Sequence, residues 1–258
     1  MTLQVPYLTD ETIERDAEAL LAQFAHARGM AIRAPIPIED IVEKHLKLHV
    51  EFDDLHRLLG VPRSEFRTDP DIFGAIWLET GEIVLDESLD PEVRPTIEGR
   101  YRFTLAHEGG GHWRLHRRLV QANSGQESLF GDARQPTVVC RSSQSKERVE
   151  LQADLYASCL LMPSRLVHAE WQDRLGRTKP LRLSDLRPNG KVVSRAETLI
   201  HKQGRGEFDA VGDALFESVA EPIARRLGVS RAAMRIRLEK LGLLLRAEPT
   251  QQSMKGIL

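Results

Sequence analysis

One short stretch constrains this chain more than any other, because it concentrates side chains that can bind metal ions or carry protons. An apolar run ending at Ala106 predicts the start of a buried helix. The run is followed at once by His107 and Glu108, and then by His112 and His116. Histidine is a frequent neutral ligand of zinc, and a glutamate next to it can serve as a general base. The stretch therefore predicts a helix that carries a candidate metal site.

The glycines at residues 109–111 make the spacing of the first two histidines unusual. Residues four apart on an α-helix align to within roughly 40°, whereas His107 and His112 are five apart and would diverge by roughly 140°. Three alternatives follow. In the first, a π-bulge or early helix break at the glycines lets both histidines converge on one metal. In the second, Glu108, His112 and His116 form the functional face of the helix, because they are spaced four residues apart. In the third, the histidines only pack and bind no metal.

The overall composition excludes some functions without choosing one. The 258 residues carry a net charge of −2 and an aromatic content of 5%, which argue against a chain-wide nucleic-acid surface or a stacking platform for single strands. Two cysteines are too few for a disulfide framework and fit a reducing compartment. No apolar run approaches ~18 residues. We therefore expect no membrane partner and a cytoplasmic location.

The sequence before the histidine-rich helix predicts a small antiparallel sheet. Residues 73–78 and 82–85 are apolar and β-prone, and the Glu-Thr-Gly segment at residues 79–81 is typical of a hairpin turn. Upstream, helical spacing predicts a helix that begins after Thr9 and ends near Gly29. An edge strand of such a sheet can bind an extended peptide through backbone hydrogen bonds. We expect an α+β fold in which the sheet lies beside the metal-site helix.

A second helix, predicted from residue 146 to the proline at 163, offers two carboxylates one turn apart. Glu150 and Asp154 are four residues apart, which places them on one helix face. A zinc site with two histidines needs a third protein ligand, for which Glu150 is the candidate. Asp154 could then orient a ligating histidine from outside the ligand group. Alternatively, both carboxylates belong to an ordinary solvated face.

The two helical runs together resemble the ImmA/IrrE family of zinc metallopeptidases. Residues 102–108 match the Arg-Phe-Thr-x-Ala-His-Glu start of the family's histidine motif, whose His-Glu-x-x-His core sets the two histidines closer by one residue. Residues 150–163 match its Glu-x-x-Ala-Asn/Asp-x-Phe-Ala-x-x-Leu-Leu-Met-Pro run. The resemblance covers residues 70–165 well, and this chain departs from it by one additional glycine. It implies an α+β, zincin-like metallopeptidase domain at residues 1–165.

The resemblance also implies a role for each residue of the site. His107, His112 and Glu150 would hold Zn²⁺, and Glu108 would be the general base that deprotonates the attacking water. His116 would be the substitute ligand for a histidine that the glycines displace. The implied substrate is a helix-turn-helix repressor protein, whose cleavage switches on a stress, DNA-damage or phage-defence response. The alternative is a non-catalytic regulator with a degenerate peptidase fold that binds a repressor or DNA.

Cys140 follows a long polar segment, residues 117–136, for which a functional or mobile loop is predicted. A thiolate there could take the fourth position on the zinc, displace the catalytic water and hold the enzyme inactive. The resemblance to family members from phage-defence operons implies such a cysteine switch. The alternative is that Cys140 packs as a small hydrophobic side chain, which is the expectation for Cys159 in the following helix.

Residues 166–258 are predicted to form a C-terminal helical region. Two amphipathic patterns are joined there by Gly228 and by an N-cap signal at Ser230, which is typical of a helix-turn-helix. Arg231 and Arg235 on its second helix could contact phosphates or the major groove. Of the possible DNA ligands, the sequence favours nonspecific or single-stranded DNA, acting as an activator. Alternatively, the two helices only pack against the rest of the chain and bind no DNA.

Overall fold

The chain folds as a mixed α+β protein in which helices predominate. The computed structural model describes residues 5–62, 72–118, 136–141, 147–204 and 206–246. Most of the polar segment predicted as a loop at residues 117–136 lies outside the described residues. The described helices are α1 (Asp10–Arg28), π1 (Asp40–His45), α2 (Leu55–Leu59), α3 (Glu98–Ala106), π2 (His107–His116), α4 (Arg148–Leu161), α5 (Ser164–Leu175), α6 (Gly190–Gln203), α7 (Glu207–Leu227) and α8 (Arg231–Lys240), with short 3₁₀ turns between some of them. The described strands are β1 (His49–Asp53), β2 (Ile72–Trp77), β3 (Glu82–Asp86), β4 (Val138–Arg141), β5 (Leu181–Arg182) and β6 (Leu244–Leu245).

The chain divides into two compact units. Unit 1 comprises Met1–Leu166 and Arg226–Val229, and unit 2 comprises Val167–Arg225 and Ser230–Leu258. The sequence predicts a single boundary between residues 165 and 166, and it gives no sign that a four-residue segment at the end of α7 belongs to unit 1. Within the described parts of both units, no helix is long and apolar enough to cross a membrane.

Helix α1 forms as its sequence predicts. The side chain of Thr9 accepts a hydrogen bond from the backbone N–H of Thr12, and Gly29 ends the helix with φ of 61°. Both features satisfy backbone groups that a helix end leaves unpaired. The buried face consists of Ile13, Ala17, Leu20, Leu21 and Phe24. Helix α1 packs against α4 and so supports the helix that carries Glu150.

Four strands of unit 1 form a mixed sheet in the order β1-β3-β2-β4. β2 and β3 are the predicted antiparallel hairpin, and Gly81 in their turn has φ of 79°. β4 is antiparallel to β2, whereas β1 is parallel to β3. The prediction of an antiparallel sheet is therefore wrong for β1. The chain leaves β1 through α2 before it enters β2, and this crossover lets β3 lie beside β1 in the same direction.

The strand order determines which strands lie at the edges of the sheet. The hairpin strands β2 and β3 are interior, and the edges are β1 and β4. One face of β2 packs on α2, where Ala75 and Leu55 belong to a buried apolar cluster. Successive residues of a strand point to opposite faces, so Gly74 faces the other side, toward π2. A Cβ at Gly74 would lie 2.6 Å from the Oε1 of Glu108, so the missing side chain leaves room for this carboxyl.

The glycines of π2 form part of its contact surface with neighbouring elements. A Cβ added at Gly110 would lie 2.8 Å from the ring of Tyr156. At Gly111 the obstacle is backbone, because the added Cβ would lie 2.5 Å from the Cα of Ala153 on α4. Contacts this short are not available to any residue with a side chain. The glycines therefore do more than permit an irregular helix, since they also let π2 and α4 pack at very short range.

Unit 2 has a small apolar core of its own. Its buried cluster lies between α6 and α7 and consists of Val192, Ala196, Leu199, Ala210, Ala214 and Leu215. β5 and β6 form a two-stranded parallel sheet. Helix α8 begins at the predicted N-cap, where the side chain of Ser230 accepts a hydrogen bond from the N–H of Ala233. α7 and α8 are consecutive helices joined by a short turn, which is the connectivity that the sequence predicts.

We expect Gly111→Ala to destabilise unit 1 by about 1–3 kcal/mol, because the added methyl group meets the backbone of Ala153, which cannot rotate away. Gly190→Ala is the matched control, since nothing lies within 4 Å of a Cβ at that helical position. The control should change the free energy of unfolding by no more than about 0.5 kcal/mol. Urea unfolding measures both variants. Equal stability of Gly111→Ala and the unmodified chain would contradict the close packing of π2 on α4.

Candidate metal centre

The π-helix brings His107 and His112 onto one face. A π-helix joins residues five apart, and the last such hydrogen bond of π2 runs from the N–H of Arg117 to the carbonyl of His112. Residues with this spacing lie on the same side in successive turns, and the Nε2 atoms of His107 and His112 are 2.9 Å apart. Both rings are buried. The backbone thus follows the first of the three alternatives, in which the glycines let the helix bulge.

Glu150 on α4 completes a group of three side chains. Its Oε2 lies 3.2 Å from the Nε2 of His107, and its Oε1 lies 3.4 Å from the Nε2 of His112. Two imidazoles and one glutamate are a donor set found at catalytic zinc sites. Helix α4 can hold Glu150 at this distance because Gly111 lets the two helices lie directly against each other.

Asp154 fixes the orientation of His107. Its Oδ1 lies 3.0 Å from the Nδ1 of His107. A carboxylate accepts hydrogen bonds, so the proton of a neutral His107 ring lies on Nδ1 and its Nε2 lone pair faces His112 and Glu150. Asp154 therefore lies where an orienting carboxylate was predicted, one helical turn beyond Glu150.

His116 lies behind His112 rather than in the group of three. The Nδ1 atoms of these two rings are 3.2 Å apart, and the Nε2 of His116 is 3.1 Å from the Oε1 of Gln152. Both nitrogens of His116 are thereby engaged away from Glu150, which argues against His116 as a substitute ligand. Gln152 is not among the residues predicted from the sequence. The sequence did contain a signal for Gln152. Its helical spacing from the apolar residues of α4 places it on the buried face, where a polar side chain is unusual.

Burial favours the neutral form of the His112 and His116 rings. It lowers the pKa of His112 to about 4 and the pKa of His116 to about 3. His107 differs from them. Burial also acts to lower its pKa, but the neighbouring Cys140, Asp154 and Glu150 together raise it well above the usual value. The centre of the group therefore favours a positive charge.

Cys140 on β4 is the fourth residue at this site. Its Sγ and one ligand atom each from His107 and Glu150 all lie within 4.8 Å of one another. The side chain is buried, and burial raises the pKa of the thiol despite the opposing effect of His107. The four side chains predicted as metal ligands are thus brought together, although they come from three separate elements of unit 1.

Glu108 lies beside this group with its side chain fully buried. Among the described residues, neither of its carboxyl oxygens has a hydrogen-bond partner. Burial raises the pKa of Glu108 to about 8, although His107 opposes this shift. Buried polar groups in proteins almost always have a partner, so a carboxyl without one is expected to meet a water molecule or a ligand.

The chemistry of the donor set fits a metal cation. The Nε2 atoms of His107 and His112 and the carboxylate of Glu150 face one another at 2.9 to 3.4 Å. Within the described part of the chain, nothing donates a hydrogen bond to the buried Oε2 of Glu150. Electron-pair donors at such distances repel one another unless a proton or a metal cation lies between them. A divalent metal ion with nitrogen, oxygen and sulfur ligands meets this requirement.

Arg231 and Arg235, the residues predicted to contact DNA, differ in their placement on α8. Arg235 is 6% exposed, and its guanidinium lies 3.2 Å from carboxylate oxygens of both Asp213 and Glu239. The predicted groove contact is therefore not available to Arg235, because its charge is neutralised inside unit 2. The side chain of Arg231 is 47% exposed and remains accessible.

Comparison with protein-family models and with curated proteins finds no relative of this chain. The family resemblance therefore depends on the two sequence runs alone. The first run covers the end of α3 and the first two residues of π2, and the second run lies mostly in α4, so both runs reach the contact between π2 and α4 that builds the site.

We expect the purified chain to bind about one zinc ion, and His112→Ala or Glu150→Gln to weaken zinc binding at least about 10-fold, because each removes a protein ligand. His26→Ala is the matched control, since His26 is exposed in the last turn of α1. Metal analysis after dialysis against a chelator, together with Co²⁺ titration, measures the effect. Unchanged zinc content in Glu150→Gln would exclude Glu150 as a ligand.

Proposed function

We propose that this chain is a zinc-dependent endopeptidase of the ImmA/IrrE kind. The observation that carries the proposal is the convergence of His107, His112 and Glu150 next to the buried carboxyl of Glu108, for which the described residues offer no hydrogen-bond partner. A structural zinc site needs only ligands, whereas a hydrolytic site also needs a group that can accept a proton. Glu108 supplies that group in its ionised form, which a bound metal cation would favour against the effect of burial.

The residues of the chain would divide the chemistry between them. A bound zinc ion supplies a nucleophile at neutral pH and polarises the carbonyl of the scissile peptide bond. Glu108 accepts a proton from the attacking water on a carboxylate oxygen and transfers it to the amine nitrogen as the C–N bond breaks. Asp154 keeps the His107 ring in one orientation throughout.

Strand β4 offers a place for an extended substrate. It is an edge strand that pairs with β2 within the described sheet, and it carries Cys140 beside the candidate metal ligands. A peptide can add to such an edge through backbone hydrogen bonds. The substrate that the sequence resemblance supports is a helix-turn-helix repressor, cleaved to switch on a stress, DNA-damage or phage-defence response.

Cys140 supports a form of the enzyme that is held inactive. Its thiol lies close enough to the candidate ligands to bind the metal in place of the attacking water. Neither Cys140 nor Cys159 forms a disulfide bond and both are buried, as is usual for proteins of the reducing cytoplasm, where we place this enzyme. DNA remains a candidate activator through exposed cations such as Arg231, and not through Arg235.

We expect Glu108→Gln to lower the rate of peptide-bond cleavage by at least about 100-fold while zinc stays bound, because the amide cannot accept the proton. Glu11→Gln, at an exposed position of α1, is the control. Mass spectrometry detects cleavage of a mixed peptide library and of any helix-turn-helix repressor whose gene lies next to the gene for this chain. Zinc binding without any cleavage, both by the unmodified chain and by Cys140→Ser, would instead favour the non-catalytic regulator that binds a repressor or DNA.

We expect Cys140→Ser to raise the basal cleavage rate several-fold, because serine is a much poorer zinc ligand than a thiolate and leaves the fourth position to water. Cys159→Ala, which changes a packing cysteine of α4, is the matched control. The same cleavage assay and a metal analysis provide the readouts. An unchanged rate at unchanged zinc content would show that Cys140 does not restrain the enzyme.

A further inference from the structure

A line of polar groups leads away from the candidate metal ligands and ends at the backbone of the N-terminal segment. The Nδ1 of His112 is 3.2 Å from the Nδ1 of His116. The Nε2 of His116 is 3.1 Å from the Oε1 of Gln152, and the Nε2 of Gln152 donates to the carbonyl of Pro6 at 2.8 Å. The three side chains are buried.

The carbonyl of Pro6 fixes the direction of every hydrogen bond in this line. A backbone carbonyl can only accept, so the amide of Gln152 must turn its NH₂ toward Pro6 and its oxygen toward His116. The neutral ring of His116 must then carry its proton on Nε2, which leaves Nδ1 as an acceptor. His112 therefore donates a hydrogen bond from its own Nδ1–H to the Nδ1 of His116, and its Nε2 lone pair faces His107 and Glu150.

We propose that His116 and Gln152 are positioning residues that hold His112 in the Nδ1–H tautomer, with the carbonyl of Pro6 as the anchor. The opposite tautomer would place two acceptor nitrogens against each other at the His112–His116 contact and would direct a proton at the metal ligands. The proposal rests on the proposed function in one respect, namely that His112 binds a metal ion. The tautomer itself is a property of the metal-free chain.

The two candidate histidine ligands would thus be oriented by different chemistry. His107 is held by a carboxylate, Asp154, whereas His112 is held by the uncharged pair His116 and Gln152. A hydrogen-bonded carboxylate makes an imidazole ligand more basic, whereas a neutral acceptor fixes the tautomer without adding negative charge. This difference fits a buried site that already contains several acidic side chains.

The test uses the full chain labelled with ¹⁵N-histidine, and long-range ¹H–¹⁵N NMR identifies which ring nitrogen of His112 carries the proton in the metal-free protein. We expect the Nδ1–H form alone in the unmodified chain and a mixture of tautomers in Gln152→Met. We expect the affinity of Gln152→Met for Zn²⁺, measured by competition with a chelator, to fall about 10- to 100-fold. Gln172→Met, at an exposed glutamine of α5, should change neither result.

A second variant separates positioning from packing and from direct ligation. His116→Gln can still accept from His112 and donate to Gln152, so it should keep the tautomer and most of the zinc affinity, whereas His116→Phe should lose both. An Nε2–H form of His112 in the unmodified chain, or an unchanged tautomer and affinity in Gln152→Met, would overturn the proposal. If the unmodified chain binds no zinc, the proposed function fails, and the NMR result still decides the tautomer.

Discussion

The contact between Gly111 of π2 and Ala153 of α4 is the packing interaction on which the candidate site depends. π2 contributes His107, Glu108 and His112, and α4 contributes Glu150, so the site exists only where these two helices meet. Their backbones approach so closely that even one methyl group would separate them. The additional glycine, which breaks the spacing of the histidine motif, is therefore part of what allows the glutamate to reach the histidines.

Electrostatics favours a cation within the same group of residues. Burial withdraws the Glu108 carboxyl and the Cys140 thiol from water and leaves the Glu150 carboxyl only partly exposed, and such groups are costly to bury unless they are paired. Because ligands of this kind are assembled only in the folded chain, the free energy of binding a metal ion here would also stabilise the fold. A bound metal ion and the contact between π2 and α4 would thus stabilise each other.

Local patterns predicted local structure well, and the errors lie where the outcome depends on distant residues. The period of α1, the hairpin of β2 and β3, and the N-cap at Ser230 are set by neighbouring residues. No local signal shows that β1 would pair with β3 in parallel. Likewise, Arg235 looked like a free cation because its partner Asp213 lies on another helix. The choice among the three histidine alternatives depended on the packing partner of the glycines, which the sequence does not identify.

The π-helix also has a consequence for the ancestry of such sites. A residue inserted into an α-helix would normally rotate everything after it by about 100° and separate the two halves of a motif. The ten-residue π-helix absorbs the insertion, so the side chains on either side of it can keep their partners. A helical metal site can therefore gain a residue between its ligands and survive. A pattern search that requires fixed spacing would discard such a descendant as broken.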